Sequence, residues 1–381
     1  MKRVRARDLG IQIGEMETGS YNAITDVKGV GVGHSTIIKG EGPLIRGKGP
    51  IRTGVTAITP HDRDTYRERV KASVHVFNGY GKSLGLDQIR QAGVLETPIL
   101  STDTWNVWRV ADACFDYMFE IYDVKPISIN PVVGETQGSF LNDSWGRHVG
   151  RKEVYEALNK ARSPEGKREV EEGNVGGGTP MSGYEFKGGI GTASRKTDFF
   201  TLGVLVQLNF GQRRDLMIDG VPMGRELAEY GMGATRQEAP SREGSCMVYI
   251  ATDLELSCRQ LGKVARRAML GLARTGSHGG DTSGDYIIAF TTGERGIEDL
   301  HMHNFREMKK KNPELTIEQM PTTQESWLNY VYRACIEATE ESIINALFKA
   351  ETMTGRDGNT RYGIPLDRVK EILKKYGRLN G

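Results

Sequence analysis

Gly244-Ser245 is the residue pair in this chain whose types and setting could do chemistry unaided. It sits between a polar stretch, Glu238-Ala239-Pro240-Ser241-Arg242-Glu243, and an apolar run, Cys246-Met247-Val248-Tyr249-Ile250, that reads as a buried strand. A glycine ahead of a serine at a strand start leaves the intervening peptide bond sterically open. If that bond were cut, Ser245 would carry a hydroxyl nucleophile and a free α-amine, and the ordinary pKa of such an amine, about 7.7–8.0, suits a general base near neutrality. Taken alone, the dipeptide is far more often an ordinary turn, about nine times in ten. Two glycine loops fail as nucleotide sites. Gly29-Val30-Gly31-Val32-Gly33 has the spacing GxGxG with no amphipathic helix following, and ahead of Gly81-Lys82-Ser83 a phosphate-binding loop would need glycine where Val76 stands. Cys114, Cys246, Cys258 and Cys335 form no CxxC pair, and the histidines come together only at His301-Met302-His303, so neither a metal nor any other cofactor is expected.

The elements that must hold such a site alternate along the chain. Strands are expected at Val30–Ile38, Gly54–Thr59, Ser73–Phe77, Thr97–Leu100, Pro126–Val133, Phe199–Asn209, Cys246–Ala251 and Tyr286–Thr291. Helices are expected over Ser83–Ala92, Thr104–Tyr122, Arg151 to about Glu172, Ser257–Thr275, Gln324–Thr354 and Pro365–Tyr376. In the Ser257–Thr275 segment, Leu261, Val264, Ala265, Ala268 and Leu272 form one apolar stripe, which predicts a core-facing helix. Strands without polar alternation need cover on both faces, so helix layers on either side of stacked sheets are expected.

Composition narrows the function classes. The 381 residues include 48 glycines, well above the roughly 7% of average usage, with no three-residue period and only 13 prolines, which excludes collagen and low-complexity chains. Lys+Arg 51 against Asp+Glu 49 gives a net charge of +2, so no global field draws the chain to nucleic acid or to an anionic membrane. No uncharged apolar run reaches about 18 residues, and the basic Met1–Arg7 stretch leads into no secretory apolar region; a cytoplasmic protein with reduced thiols is expected.

Longer matches go further. Gly244–Asp253, Leu270-Gly271-Leu272-Ala273-Arg274-Thr275-Gly276, Thr282-Ser283-Gly284-Asp285, Gly134-Glu135-Thr136, Phe186–Arg195 and Gly203–Asn209 together resemble the L-aminopeptidase/D-amidase/D-esterase and β-aminopeptidase family across nearly the whole chain. The resemblance implies an N-terminal-nucleophile hydrolase with a four-layer αββα sandwich. Such a precursor would cut itself between Gly244 and Ser245 into fragments 1–244 and 245–381, about 27 and about 15 kDa of the 42.2 kDa chain in proportion to length. It implies Ser245 as nucleophile with Ser283 and Asp285 as its hydrogen-bonded partners, Asn209 as oxyanion donor, and Glu135 as the carboxylate that receives the substrate's amino group. The implied substrates are small peptides, amides or esters with a free amine, and the implied assembly is a tetramer of cleaved protomers. Family members can carry glutamate where Asp285 stands, and Gln137–Asp143 departs from the family's usual form. Two other readings are acyl transfer, as in ornithine acetyltransferases, whose threonine nucleophile Ser245 opposes, and a catalytically silent binding relative, opposed by the presence of Ser245, Asn209 and Ser283.

Overall fold

The computed structural model describes residues 3–230, 244–295, 309–310, 313–314 and 327–379. His301, His303 and the whole polar stretch Glu238–Glu243 before Gly244 lie outside them. Fourteen strands are seen among the described residues: β1 (Gly31–Lys39), β2 (Ile51–Thr59), β3 (Val70–Gly79), β4 (Val94–Leu95), β5 (Ile99–Asp103), β6 (Val132–Thr136), β7 (Ser182–Gly183), β8 (Phe186–Lys187), β9 (Ile190–Lys196), β10 (Thr201–Asn209), β11 (Ser245–Leu254), β12 (Gly284–Arg295), β13 (Met353–Thr354) and β14 (Thr360–Arg361). Between them run helices α1 (Leu86–Ala92), α2 (Val107–Glu120), α3 (Arg151–Arg162), α4 (Met223–Glu226), α5 (Cys258–Arg274), α6 (Leu328–Lys349) and α7 (Leu366–Lys375).

Two sheets carry the architecture, one ordered β1-β2-β5-β6 and the other β4-β3-β12-β11-β10-β9. Three apolar seams separate four layers. Val55, Ala57, Leu100 and Val133 pack the first sheet on α2 and α3. Ile58, Ile99 and Val132 meet Leu205, Met247, Tyr249 and Ile288 between the sheets. Val204, Val248, Ile287 and their neighbours pack the second sheet on α5 and α6. The expected αββα sandwich is therefore present, because strands such as β10 and β11, buried along nearly their whole length, must be covered on both faces.

Local chemistry explains most boundaries. The Ser257 hydroxyl accepts from the Gln260 N–H and the Gln260 side chain accepts from the Ser257 N–H, a capping box that starts α5 where expected. Helix α3 stops at Arg162, ten residues short of expectation, because Pro164 has no N–H to continue it and disfavours helical backbone in the residue before. Strand β6 begins only after Pro131, so it runs to Thr136 rather than ending at Val133, and Glu135 lies inside it. The glycine-dense segment Gly173–Gly191 hid the β7–β8 hairpin and the start of β9, since glycine gives neither strand propensity nor alternation.

Polar links cross these layers where apolar packing alone would not fix the register. Gln207 of β10 donates to the Thr102 carbonyl and the Thr136 hydroxyl and accepts from the Ser101 hydroxyl, joining the two sheets through one buried amide. On the outer side, fully buried Arg195 pairs with Glu337 at 3.0 Å and Glu341 at 2.8 Å of α6. Removing one partner of a buried ion pair leaves an uncompensated charge, at a cost of about 3–5 kcal/mol. Arg333 still holds Glu337 and Arg7 still holds Glu341. We therefore expect Arg195→Met to lower unfolding stability by an amount near the bottom of that range, about 3 kcal/mol, measured by urea denaturation.

Candidate active site

Strand register brings three of the expected residues to one end of the second sheet. In the antiparallel β10–β11 pair Asn209 stands directly opposite Ser245, and in the parallel β11–β12 pair Cys246 stands opposite Asp285. Because side chains alternate along strands, Asn209 and Ser245 face the seam between the sheets with Gln207 and Met247, while Asp285 faces the helical side with Ile287. The Ser245 hydroxyl accepts a hydrogen bond from the Gly284 N–H at 3.0 Å. Ser283 Oγ donates to Asp285 Oδ2 at 2.5 Å, and Asp285 Oδ1 accepts from the Cys246 N–H at 3.0 Å. The shorter acidic side chain thus reaches Ser283 without difficulty. Ser245 makes no direct hydrogen bond to Ser283 among the described residues; Gly284 lies between them.

Asn209 is held at both ends of its amide. Its oxygen accepts from the Ser182 N–H at 2.9 Å and its nitrogen donates to the Gln137 carbonyl at 3.0 Å, an orientation that leaves the amide N–H₂ one further proton to donate. Gly244 lies against the same residue, and a Cβ placed on it would fall 1.7 Å from the Asn209 carbonyl oxygen. Only glycine allows the Gly244–Ser245 peptide to lie this close to β10.

Glu135 comes from the other sheet, and the turn after β3 joins it to the serine cluster. Asn78 Nδ2 donates to Ser283 Oγ at 2.9 Å and to the carbonyls of Gly279 and Gly280, and the Tyr80 N–H donates to the Ser283 carbonyl. Four residues after Asn78, the Lys82 N–H donates to Glu135 Oε1 at 2.7 Å. Gly81 lets this turn close, because a Cβ there would lie 2.6 Å from the Tyr286 ring and 2.9 Å from Glu135 Oε1. Glu135 is 2% exposed, and burial raises its pKa above the ordinary carboxylate value against the opposing pull of the Lys82 N–H. On the neighbouring strand β5, Asp103 is also pushed up by burial, but the Ser144 hydroxyl, the Asn142 amide and the N–H groups of Gly138 and Thr104 satisfy it, so it serves the framework.

The structure thus gathers Asn209, Ser245, Ser283 and Asp285 at one sheet end and ties Glu135 to them through the Asn78–Lys82 turn. Asn78 and Gln207 escaped the sequence reading: neither sits in a pattern with chemistry of its own, and both act through contacts made across strands. Lys82 was seen, but as part of a failed phosphate loop.

This chain belongs to peptidase family S58, whose profile matches residues 22–361. It is a hydrolase of the serine aminopeptidase class with the N-terminal-nucleophile type of fold. A β-peptidyl aminopeptidase, BapA, of Sphingosinicella xenopeptidilytica is 40% identical over 97% of this chain and 91% of its own. Among solved structures, the PH0078 protein of Pyrococcus horikoshii OT3 superposes with a TM-score of 0.84 at 44% identity, covering 99% of this chain and 100% of that one. The L-aminopeptidase D-Ala-esterase/amidase of Ochrobactrum anthropi, described as a prototype for the serine aminopeptidases and a variant of the Ntn hydrolase fold, gives 0.81 at 39% identity, covering 99% of each chain.

Gly244→Ala is expected to push the start of β11 away from β10. Compared in a Ser245→Ala background that keeps the chain uncut, amide hydrogen exchange at Cys246, whose N–H is held by Asp285, should rise at least about tenfold, the equivalent of roughly 1.4 kcal/mol of lost local stability, while exchange in the middle of β11 stays unchanged.

Proposed function

We propose that this chain is a self-processing aminopeptidase that removes an N-terminal residue from small peptides, amides or esters through an acyl-enzyme on Ser245. The observation that carries the reading is the pairing of Asn209 with Ser245 across β10–β11, beside the Ser283–Asp285 hydrogen bond. In processing, the Ser245 hydroxyl attacks the Gly244 carbonyl carbon and the C–N bond to Ser245 breaks as its nitrogen takes a proton. Water then hydrolyses the resulting ester, leaving the Gly244 carboxylate and the free Ser245 amine. The fragments 1–244 and 245–381 would stay together, since β11 and β12 lie between β10 and β3 of the larger piece.

In the mature site, Ser245 loses its proton to its own α-amine or to the Ser283–Asp285 relay and attacks the substrate carbonyl. The Asn209 amide donates to the oxyanion that develops, an interaction typically worth about 10²–10³ in rate. Glu135, ionised, receives the substrate ammonium, and its burial makes the charge-assisted pair strong and a blocked N-terminus unacceptable. That the named relatives include β-peptidyl and L-amino acid aminopeptidases supports a site open to both α- and β-linked residues. A tetramer of cleaved protomers working in the cytoplasm completes the reading. No described helix is long and apolar enough to cross a membrane.

Ser245→Ala should leave a single 42.2 kDa band on a denaturing gel where the parent gives two fragments, and should abolish release of p-nitroaniline from aminoacyl anilides; retained turnover would overturn the nucleophile assignment. Because the folded pKa of Glu135 is raised, its charged form is lost at a higher pH than for a solvated carboxylate. The acid limb of kcat/KM should therefore fall above the usual carboxylate range. Glu135→Gln should lower kcat/KM by about two orders of magnitude, the scale of a lost charge-assisted pair, and remove that limb, as a pH profile on an anilide substrate would reveal.

A further inference from the structure

Lys82 does more at this site than lend its backbone. Its N–H holds Glu135 Oε1, while its side chain lies over Trp105 with Nζ 5.8 Å from the ring centroid, the outer edge of cation–π range. Among the described residues, no carboxylate or carbonyl takes a direct hydrogen bond from that ammonium, and Glu135 is the carboxylate whose charge it stabilises electrostatically. Trp105 is 38% exposed and Lys82 is half-buried, so the pair opens to solvent beside a carboxylate that is itself 2% exposed.

The charge balance is then uneven. If Glu135 receives a substrate ammonium, two cations face one anion in a partly desolvated space where Coulomb repulsion is weakly screened. A substrate that supplied its own anion beside its amine would restore alternation, ammonium on Glu135 and carboxylate on Lys82. We propose, on the reading of Glu135 given above, that Lys82 is a specificity-determining residue that selects N-terminal residues bearing a carboxylate next to the free amine. Aspartyl residues linked through their β-carboxyl fit best. Their amine and free carboxylate sit on one carbon, so both groups are presented together, as Glu135 and Lys82 are joined by a single residue's backbone and side chain.

The test pairs β-aspartyl p-nitroanilide with β-alanyl p-nitroanilide, which differ only by that carboxylate. The wild-type protein should favour the β-aspartyl compound in kcat/KM by about tenfold, the scale of one charge-assisted hydrogen bond, with most of the difference in KM. Lys82→Met should erase this ratio, Lys82→Arg should retain most of it, and added salt should shrink it. Equal or better turnover of the β-alanyl compound by wild type, or an unchanged ratio in Lys82→Met, overturns the proposal. A preference for α-glutamyl over β-aspartyl p-nitroanilide overturns the β-linkage. If wild type hydrolyses none of these anilides, nor alanine p-nitroanilide, the aminopeptidase reading itself fails; turnover of the neutral anilides alone leaves that reading standing and removes only the role given to Lys82.

Discussion

The register of three neighbouring strands is the constraint on which everything else rests. A slip of one residue between β10 and β11 would turn every side chain of one strand to the opposite face, sending Ser245 toward the helices or Asn209 away from the seam. Because both strands are buried on both faces, burial alone would tolerate such a slip, and the register is pinned by Gln207, whose amide finds its partners on the other sheet in one alignment alone. Gly244 belongs to the same constraint: its missing side chain is what lets the chain enter β11 hard against Asn209.

Charge is buried in this molecule in two different ways. Arg195 with Glu337 and Glu341, and Asp103 with its four donors, are satisfied within the protein and hold layers together. Glu135 has one oxygen held by the Lys82 N–H and a pKa raised by burial, which is a state that an incoming cation would relieve. A satisfied buried charge is framework, and an incompletely satisfied one is poised for a ligand.

The turn from Asn78 to Lys82 shows why part of the site was hidden in the chain. Its residues form no chemical pattern in sequence, and Gly81-Lys82-Ser83 even suggests the wrong chemistry. Folded, the turn grips Ser283 at one end and Glu135 at the other, 205 and 53 residues away from the atoms that hold them. The glycine-dense segment before β9 was opaque for a related reason, because its strands are defined by their neighbours rather than by their own propensities.

Sequence by itself determined the strand and helix alternation and the demand for two covered sheets, since periodicity and capping residues are local properties, and it marked Gly244-Ser245 as a sterically open peptide without deciding that it is more than a turn. The apolar strands already called for helix layers on either side of stacked sheets, whereas the roles proposed for Asn209, Ser283, Asp285 and Glu135 came only through long matches to related chains, not from any one residue's surroundings. Tertiary structure alone decided that Gly284 separates Ser245 from Ser283, that Asp285 is long enough, that Asn78 and Gln207 reach across strands to this sheet end, and that the Lys82 charge lies beside Glu135. Distances across strands and the balance of charge in a buried space depend on residues far apart in the chain, and they exist only once the two sheets have closed on each other.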